Sequence, residues 1–215
     1  MKTKKIKAII FDFDGTIANT LPYTFKKIIE INQHLKITNK KDREIIEKIR
    51  KMDYRELLKE FKISWMKIPL IVWEIKKAQK ELYKQIEQIK PFKGVKQLLL
   101  KLNKKGILCY IYSSNIKKNI ERFLEVNDLK KYFKKVFVGL NLLGKDKDLL
   151  SILKKEALRK DEVLYVADEV RDALACGKAG IKMIGVSWGL NSPSILKKSG
   201  ALHIVKKPAE IFFLV

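Results

Sequence analysis

The sequence contains only two cysteines, Cys109 and Cys176, and two histidines. Two cysteines without metal-type spacing give neither a disulfide framework nor a zinc site, and they suit a reducing compartment. Five prolines and ten glycines among 215 residues form no linker, and no internal repeat or low-complexity segment is visible. No apolar run approaches the roughly 18 residues of a membrane span. The basic start, "MKTKKIKAIIF", has too short an apolar run and no small-residue cleavage pattern for a secretory leader. The expectation is a soluble cytoplasmic protein with no membrane partner, a monomer or weak homodimer.

Acidic residues are also scarce, 24 against 47 Lys and Arg, for a formal net charge of +23. The excess is spread along the chain and is densest over 91–145, where 13 basic residues accompany three acidic ones. Dispersed lysine of this kind decorates solvated helix faces, and no zinc-finger, RNP-like or Gly-Arg-rich pattern accompanies it. Nucleic acid is therefore not the expected partner.

What is present is a full complement of apolar residues, 47% of the chain, enough for a core. "IKAIIF" (6–11) is a nearly continuous apolar run and predicts a strand buried on both faces. From 17 to 90 strand patterns disappear and apolar residues recur at helical spacing. Within that stretch Asp53 is placed to cap "YRELLKEF", and Pro69 to start or kink a long helix. Trp65 and Trp73 read as core residues of the helical segment, and His34 and His203, in apolar patterns, as structural. After Pro91 helices and strands alternate. Strands are predicted at 107–112, 135–139, 163–167 and 181–187, with a short last one in "LHIV". The intervening helices include one closed by Gly106, one capped by Asn115 and a final one from Pro208. Alternation predicts an α/β fold with a parallel, Rossmann-like sheet, residues 1–16 and 91–215 forming the core and 17–90 an inserted all-helical segment.

In an open parallel sheet the site lies beyond the carboxyl ends of the strands. Asp12, Asp14, Gly15 and Thr16 follow the first strand, and Ser113, Ser114 and Asn115 follow the second. Lys145 opens a later helix, and Asp168, Glu169 and Asp172 follow the fourth strand. Carboxylates packed together repel one another, and a hard divalent cation relieves that; Mg²⁺ takes a few carboxylates, water and a substrate phosphate. A lysine and a hydroxyl add phosphate-binding groups. Asp12, held rigidly at the strand end, is a candidate nucleophile, and Asp14, on the same side of the chain, a candidate general acid and base.

These residues, as "DFDGT", "ILCYIYSSN", Lys145 and "DEVRD" in that order, resemble the four motifs of the haloacid dehalogenase-like hydrolase superfamily. The likeness is nearest to its phosphoglycolate-phosphatase-like branch and covers essentially the whole chain. It implies an aspartyl-phosphate phosphatase acting on a small phosphorylated metabolite. Asp12 would be the nucleophile and Asp14 the acid/base, with Ser113 and Lys145 on the phosphate. Asp12, the Asp14 backbone carbonyl and Asp168 would hold Mg²⁺, with Asp172 a ligand or a support beside them. Ser114 substitutes for Ser113 if the strand runs one residue longer, and Lys147 is the alternative to Lys145, which follows Gly144 as the family expects. The insert at 17–90 would be a helical cap of the C1 type. Asp14 argues against a dehalogenase or phosphonatase, and Thr24, in place of a cap histidine, against a sugar phosphomutase. One departure is Ala167, where the family usually has glycine; its methyl is expected to crowd the phosphate pocket. The competing reading is a catalytically silent member of this superfamily that binds nucleic acid or another acidic partner through its basic surface.

Overall fold

The computed structural model describes residues 5–139 and 145–215. Its centre is β1 (Ala8–Phe11), buried at every position, as an unbroken apolar run requires. Around it stand β2 (Leu108–Ser113), β3 (Lys135–Val138), β4 (Val163–Ala167), β5 (Lys182–Val186) and β6 (His203–Val205). They form a six-stranded sheet in the order β3-β2-β1-β4-β5-β6, and each adjacent pair is parallel.

Between β1 and β2 the chain departs into α1 (Leu21–Leu35), α2 (Asp42–Lys51), α3 (Tyr54–Glu60) and α4 (Ile68–Leu82). It leaves and returns side by side: Asn19 N–H donates to Lys90 O at 3.0 Å and Phe92 N–H to Ile17 O at 3.1 Å. The local signals act as expected. Asp53 accepts from the Arg55 and Glu56 amides in a reciprocal capping box, and Pro69 lies in the first turn of α4. The two tryptophans do not. Trp65 is 78% exposed and Trp73 57%. α4 carries apolar residues on two sides, and the inward one bears Glu74, which is buried and 2.7 Å from His34 Nδ1. Met66, Leu70 and Trp73, at helical spacing, therefore face outward. His34 and His203 are likewise exposed rather than packed in the core.

After the insert, α5 (Val95–Lys104), α6 (Lys117–Val126), α7 (Lys145–Lys155), α8 (Val170–Ala179), α9 (Pro193–Lys198) and α10 (Pro208–Ile211) cover the sheet. Strand alternation divides the apolar residues between two layers. Ile9, Phe11, Ile111 and Val166 pack with Leu98 and Leu99 of α5 and Phe123 of α6. Ala8, Ile10, Tyr110 and Tyr165 pack with Leu149 of α7, Cys176 of α8 and Leu196 of α9. From β1 the chain winds outward through β2 and β3 on one side, then crosses back to β4, β5 and β6 on the other. Strand order reverses at the carboxyl end of β1, where such sheets open a crevice. Among the described residues, no helix is long and apolar enough to cross a membrane.

Candidate active site

Asp12 follows β1 directly, and its amide donates to Val166 O at 2.9 Å, so the pairing of β1 with β4 continues one residue past the strand. The residue is 1% exposed. Burial raises its pKa well above the usual carboxylate range; Lys145 opposes this, and Asp172, Asp168 and Glu169 add to it. Lys145, first residue of α7, is 3% exposed and stands 2.5 Å from Asp172 Oδ1 and 3.5 Å from Asp12 Oδ1. Burial alone would strip its proton, but the Asp172 and Asp12 charges hold it, and its pKa is raised. Of the two candidate lysines, Lys145 stands beside Asp12 and Asp172, and Lys147 is exposed. Gly144 lies outside the described residues.

Gly15 turns the chain at φ +71°. A Cβ there would stand 2.1 Å from Asp168 Oδ2, and one on Gly189 would stand 2.0 Å from Asp168 Cβ, so two glycines admit the Asp168 side chain. Asp168 accepts from Thr16 Oγ1 at 2.9 Å and from the Leu190 amide at 2.7 Å. Burial, with Glu169 nearby, nonetheless pushes its pKa up to about 7. Asp14 is half-buried; burial raises its pKa, opposed by Asn115 Nδ2, which donates to Asp14 Oδ2 at 2.9 Å.

Ser113 ends β2, and its buried hydroxyl accepts from the Asn115 amide at 3.1 Å. The Ser114 hydroxyl instead accepts from Arg171 Nη2 at 3.2 Å, so the two serines separate into a strand-end group and a loop group. Arg171 also lies 2.6 Å from Glu169 Oε2, and the acids around it, Glu169 first, raise its pKa despite burial. Asn115 does not cap α6, which begins at Lys117 with Ile116 at its cap; its side chain is committed to Asp14 and to the Ile116 amide. Ala167 continues the β1–β4 register as the neighbour of Asp12, so its methyl lies on the same face of the sheet as that carboxylate, in the layer under α7 to α9.

Five carboxylates (Asp12, Asp14, Asp168, Glu169 and Asp172) thus act on one another beside two cations, Lys145 and Arg171. Asp172 Oδ2 is buried without a hydrogen-bond partner. A surplus of buried negative charge with an orphaned oxygen fits a divalent cation. Among the described residues, no three His, Cys, Asp or Glu side chains already form a cage for one. Mg²⁺ does not require such a cage, since it keeps several waters and takes one or two carboxylates plus phosphate oxygens.

The helical insert reaches this edge at two places. Gln79 of α4 donates to Ser114 O at 3.2 Å, and its own carbonyl accepts from Asn119 at 2.7 Å. At the end of α2, Ile49 O accepts from Asn191 at 2.8 Å, Arg50 O from the Ser192 amide at 2.7 Å, and Arg50 Nη1 donates to Gly189 O at 3.1 Å. Sequence reasoning left Arg171, Asn119, Gly189 and Asn191 unassigned; Arg171 alone had a signal, its place inside "DEVRD". A crevice of about 280 Å³ between α1 and α4 lies away from this chemistry. Within it Lys27 pairs with Glu30 and Glu81, and His34 meets Glu74.

Residues 9–186 match the family model of the haloacid dehalogenase-like hydrolases. The chain is 28% identical over 207 residues to phosphoglycolate phosphatase of Synechococcus elongatus, covering 96% of this chain and 95% of that protein. It is 25% identical to enolase-phosphatase E1 of Persephonella marina, over 88% and 92% of the two chains. In fold it is similar to a haloacid dehalogenase-like hydrolase of Streptococcus pneumoniae, with a TM-score of 0.77, 18% identity, and 97% and 98% coverage.

Proposed function

Because the chain belongs to the haloacid dehalogenase-like hydrolase family, we propose that it is a Mg²⁺-dependent phosphatase that cleaves a small phosphorylated metabolite through a phosphorylated Asp12. The observation that carries this reading is the buried Asp12–Lys145–Asp172 cluster at the switch point of the sheet, a nucleophile beside a retained positive charge. Asp12, the Asp14 backbone carbonyl and Asp168 would hold the cation, with Asp172 beside them gripping Lys145. When bound, Mg²⁺ neutralises negative charge as the phosphate dianion approaches.

In the first step an Asp12 carboxylate oxygen bonds to phosphorus while the bond to the leaving oxygen breaks. Asp14 gives that oxygen its proton; burial, which raises the Asp14 pKa, favours the protonated form needed here. In the second step Asp14, now a carboxylate, takes a proton from water as the water oxygen bonds to phosphorus and the Asp12–phosphoryl bond breaks. Phosphate leaves and both aspartates return to their starting state. Lys145 and the Ser113 hydroxyl hold the phosphoryl oxygens.

The helical segment 17–90 acts as a C1-type cap over a catalytic core of 1–16 and 91–215, excluding water and selecting the substrate. A small phosphorylated acid of the phosphoglycolate type is the first candidate, from the likeness to the Synechococcus enzyme. The scarcity of cysteine supports a cytoplasmic setting. The basic surface does not favour a nucleic-acid role: within 91–145, Lys96 and Lys131 pair with Asp128, Lys130 with Glu125, and Lys134 and Lys135 with Glu156. The test is turnover of p-nitrophenyl phosphate. Activity with Mg²⁺ should vanish in EDTA and fall at least about 10³-fold in Asp12→Asn. No turnover, or equal turnover by the variant, overturns the phosphatase reading.

A further inference from the structure

We propose that Asn119 is a positioning residue through which the seating of α4 sets the orientation of the Asp14 carboxylate; the inference rests on the phosphatase reading of this site. Asn119 lies within α6 and is 1% exposed. Its amide nitrogen carries two protons, and both are used. One goes to Gln79 O at 2.7 Å and the other to Asn115 Oδ1 at 2.9 Å. Gln79 is among the last four residues of α4, whose carbonyls have no partner within an α-helix. A side chain of the α/β layer thus completes the end of a helix of the insert.

The next link follows from counting donors. Asn115 Oδ1 accepts from Asn119 and also from the Ile116 amide at 2.7 Å. Reversing the Asn115 amide would set its NH₂ against two N–H groups, so the orientation is fixed with the oxygen toward them. The Asn115 nitrogen must then point the other way, and it donates to Asp14 Oδ2. The path from the α4 carbonyl to Asp14 is a chain of three hydrogen bonds with no alternative arrangement of the amides. Gln79 also donates through Nε2 to Ser114 O, so one residue of the insert touches both the serine loop and the relay to Asp14. With α4 displaced, Asn119 loses one of its two acceptors, Ser114 O loses a donor, and the restraint on Asp14 slackens.

The test is a mutant cycle read in p-nitrophenyl phosphate turnover with Mg²⁺. Asn119→Ala is expected to lower kcat by about 10- to 100-fold with KM changed less than about threefold, because a displaced proton-transfer group costs rate rather than binding. In an Asp14→Asn background the same substitution should change kcat by less than about twofold, since its effect runs through Asp14. Equal losses in both backgrounds, or no loss in the wild type, overturn the proposal. If Asn119→Ala does not fold, Asn119→Ser, which cannot span both acceptors, takes its place under the same criteria. If the wild type has no phosphatase activity, that reading fails on its own, and amide hydrogen exchange judges the relay. Asn119→Ala should then speed exchange in 73–82 and 14–20 together, and acceleration confined to 73–82 overturns it.

Discussion

β1 and β4 bury every side chain they carry, whereas across residues 21–82 only Ile45 and Leu82 are buried apolar side chains. The sheet layer holds its shape by burial on both faces, worth about 25 cal/mol for each Å² of apolar surface removed from water. The helical insert holds its own by caps, surface ion pairs and hydrogen bonds to the core, and it leaves Trp65, Met66, Leu70 and Trp73 in solvent. Exposed ion pairs contribute little each. Rigidity is placed unevenly: the carboxylates stand at the ends of strands that cannot shift without breaking the core, and the insert meets that edge through hydrogen bonds such as Arg50 to Gly189 and Gln79 to Ser114.

Amide hydrogen exchange gives the largest expected contrast. Protection in β1, β2 and β4 should exceed that in α1 to α4 by roughly a thousandfold, because local opening of a thinly packed segment costs far less than global unfolding. Equal protection would erase the distinction between the two regions.

A smaller effect sharpens it from the charged side. In EDTA, melting temperature should fall as pH rises from about 4 to about 7. Asp168 has an ordinary value of 3.8 and a folded value of about 7, and Asp12 is raised in the same direction. The folded state therefore holds protons the unfolded chain has released, so stability is full below the unfolded value and is lost as pH climbs through the folded one. The lysine-paired carboxylates with lowered pKa, such as Glu156 and Glu162, act below this window, and Lys145 acts above it. Added Mg²⁺ should flatten the decline, and a decline of unchanged slope would mean that the cation does not bind among these carboxylates. The smallest effect concerns Ala167. Its methyl stands on the Asp12 face of the sheet, so Ala167→Gly should raise kcat/KM about two- to threefold while costing about 1 kcal/mol of stability from the strand.

Legibility in the sequence follows the same division. The strand ends were readable because each apolar run stops at a polar group, as at Phe11–Asp12 and Ala167–Asp168, and burial forces such a change to have a reason. The α/β class and the return of the chain near 90 were readable for the same cause, the switch from helical to strand periodicity. The insert was less so. Trp73 and Glu74 exchange the places that hydropathy assigns them, because α4 pairs Glu74 with His34 and turns its second apolar stripe outward. Asn115 reads as a helix cap, since nothing local reveals an Asp14 partner 101 positions away. Gly189 and Asn191 act through residues distant in sequence, and Asn119 joins a neighbour four residues away, Asn115, to Gln79 forty away, so their roles appear once the chain is folded.

If the strand-end cluster is a phosphatase site as proposed, phosphoryl transfer passes through Asp12. Acid quenching during turnover of a small phosphomonoester with Mg²⁺, followed by peptide mass mapping, tests it directly. One added phosphoryl group is expected on the peptide carrying "DFDGT", located on Asp12 and absent from Asp12→Asn. A phosphoryl group on another residue, or full turnover with no phosphorylated protein under any quench time, would contradict it.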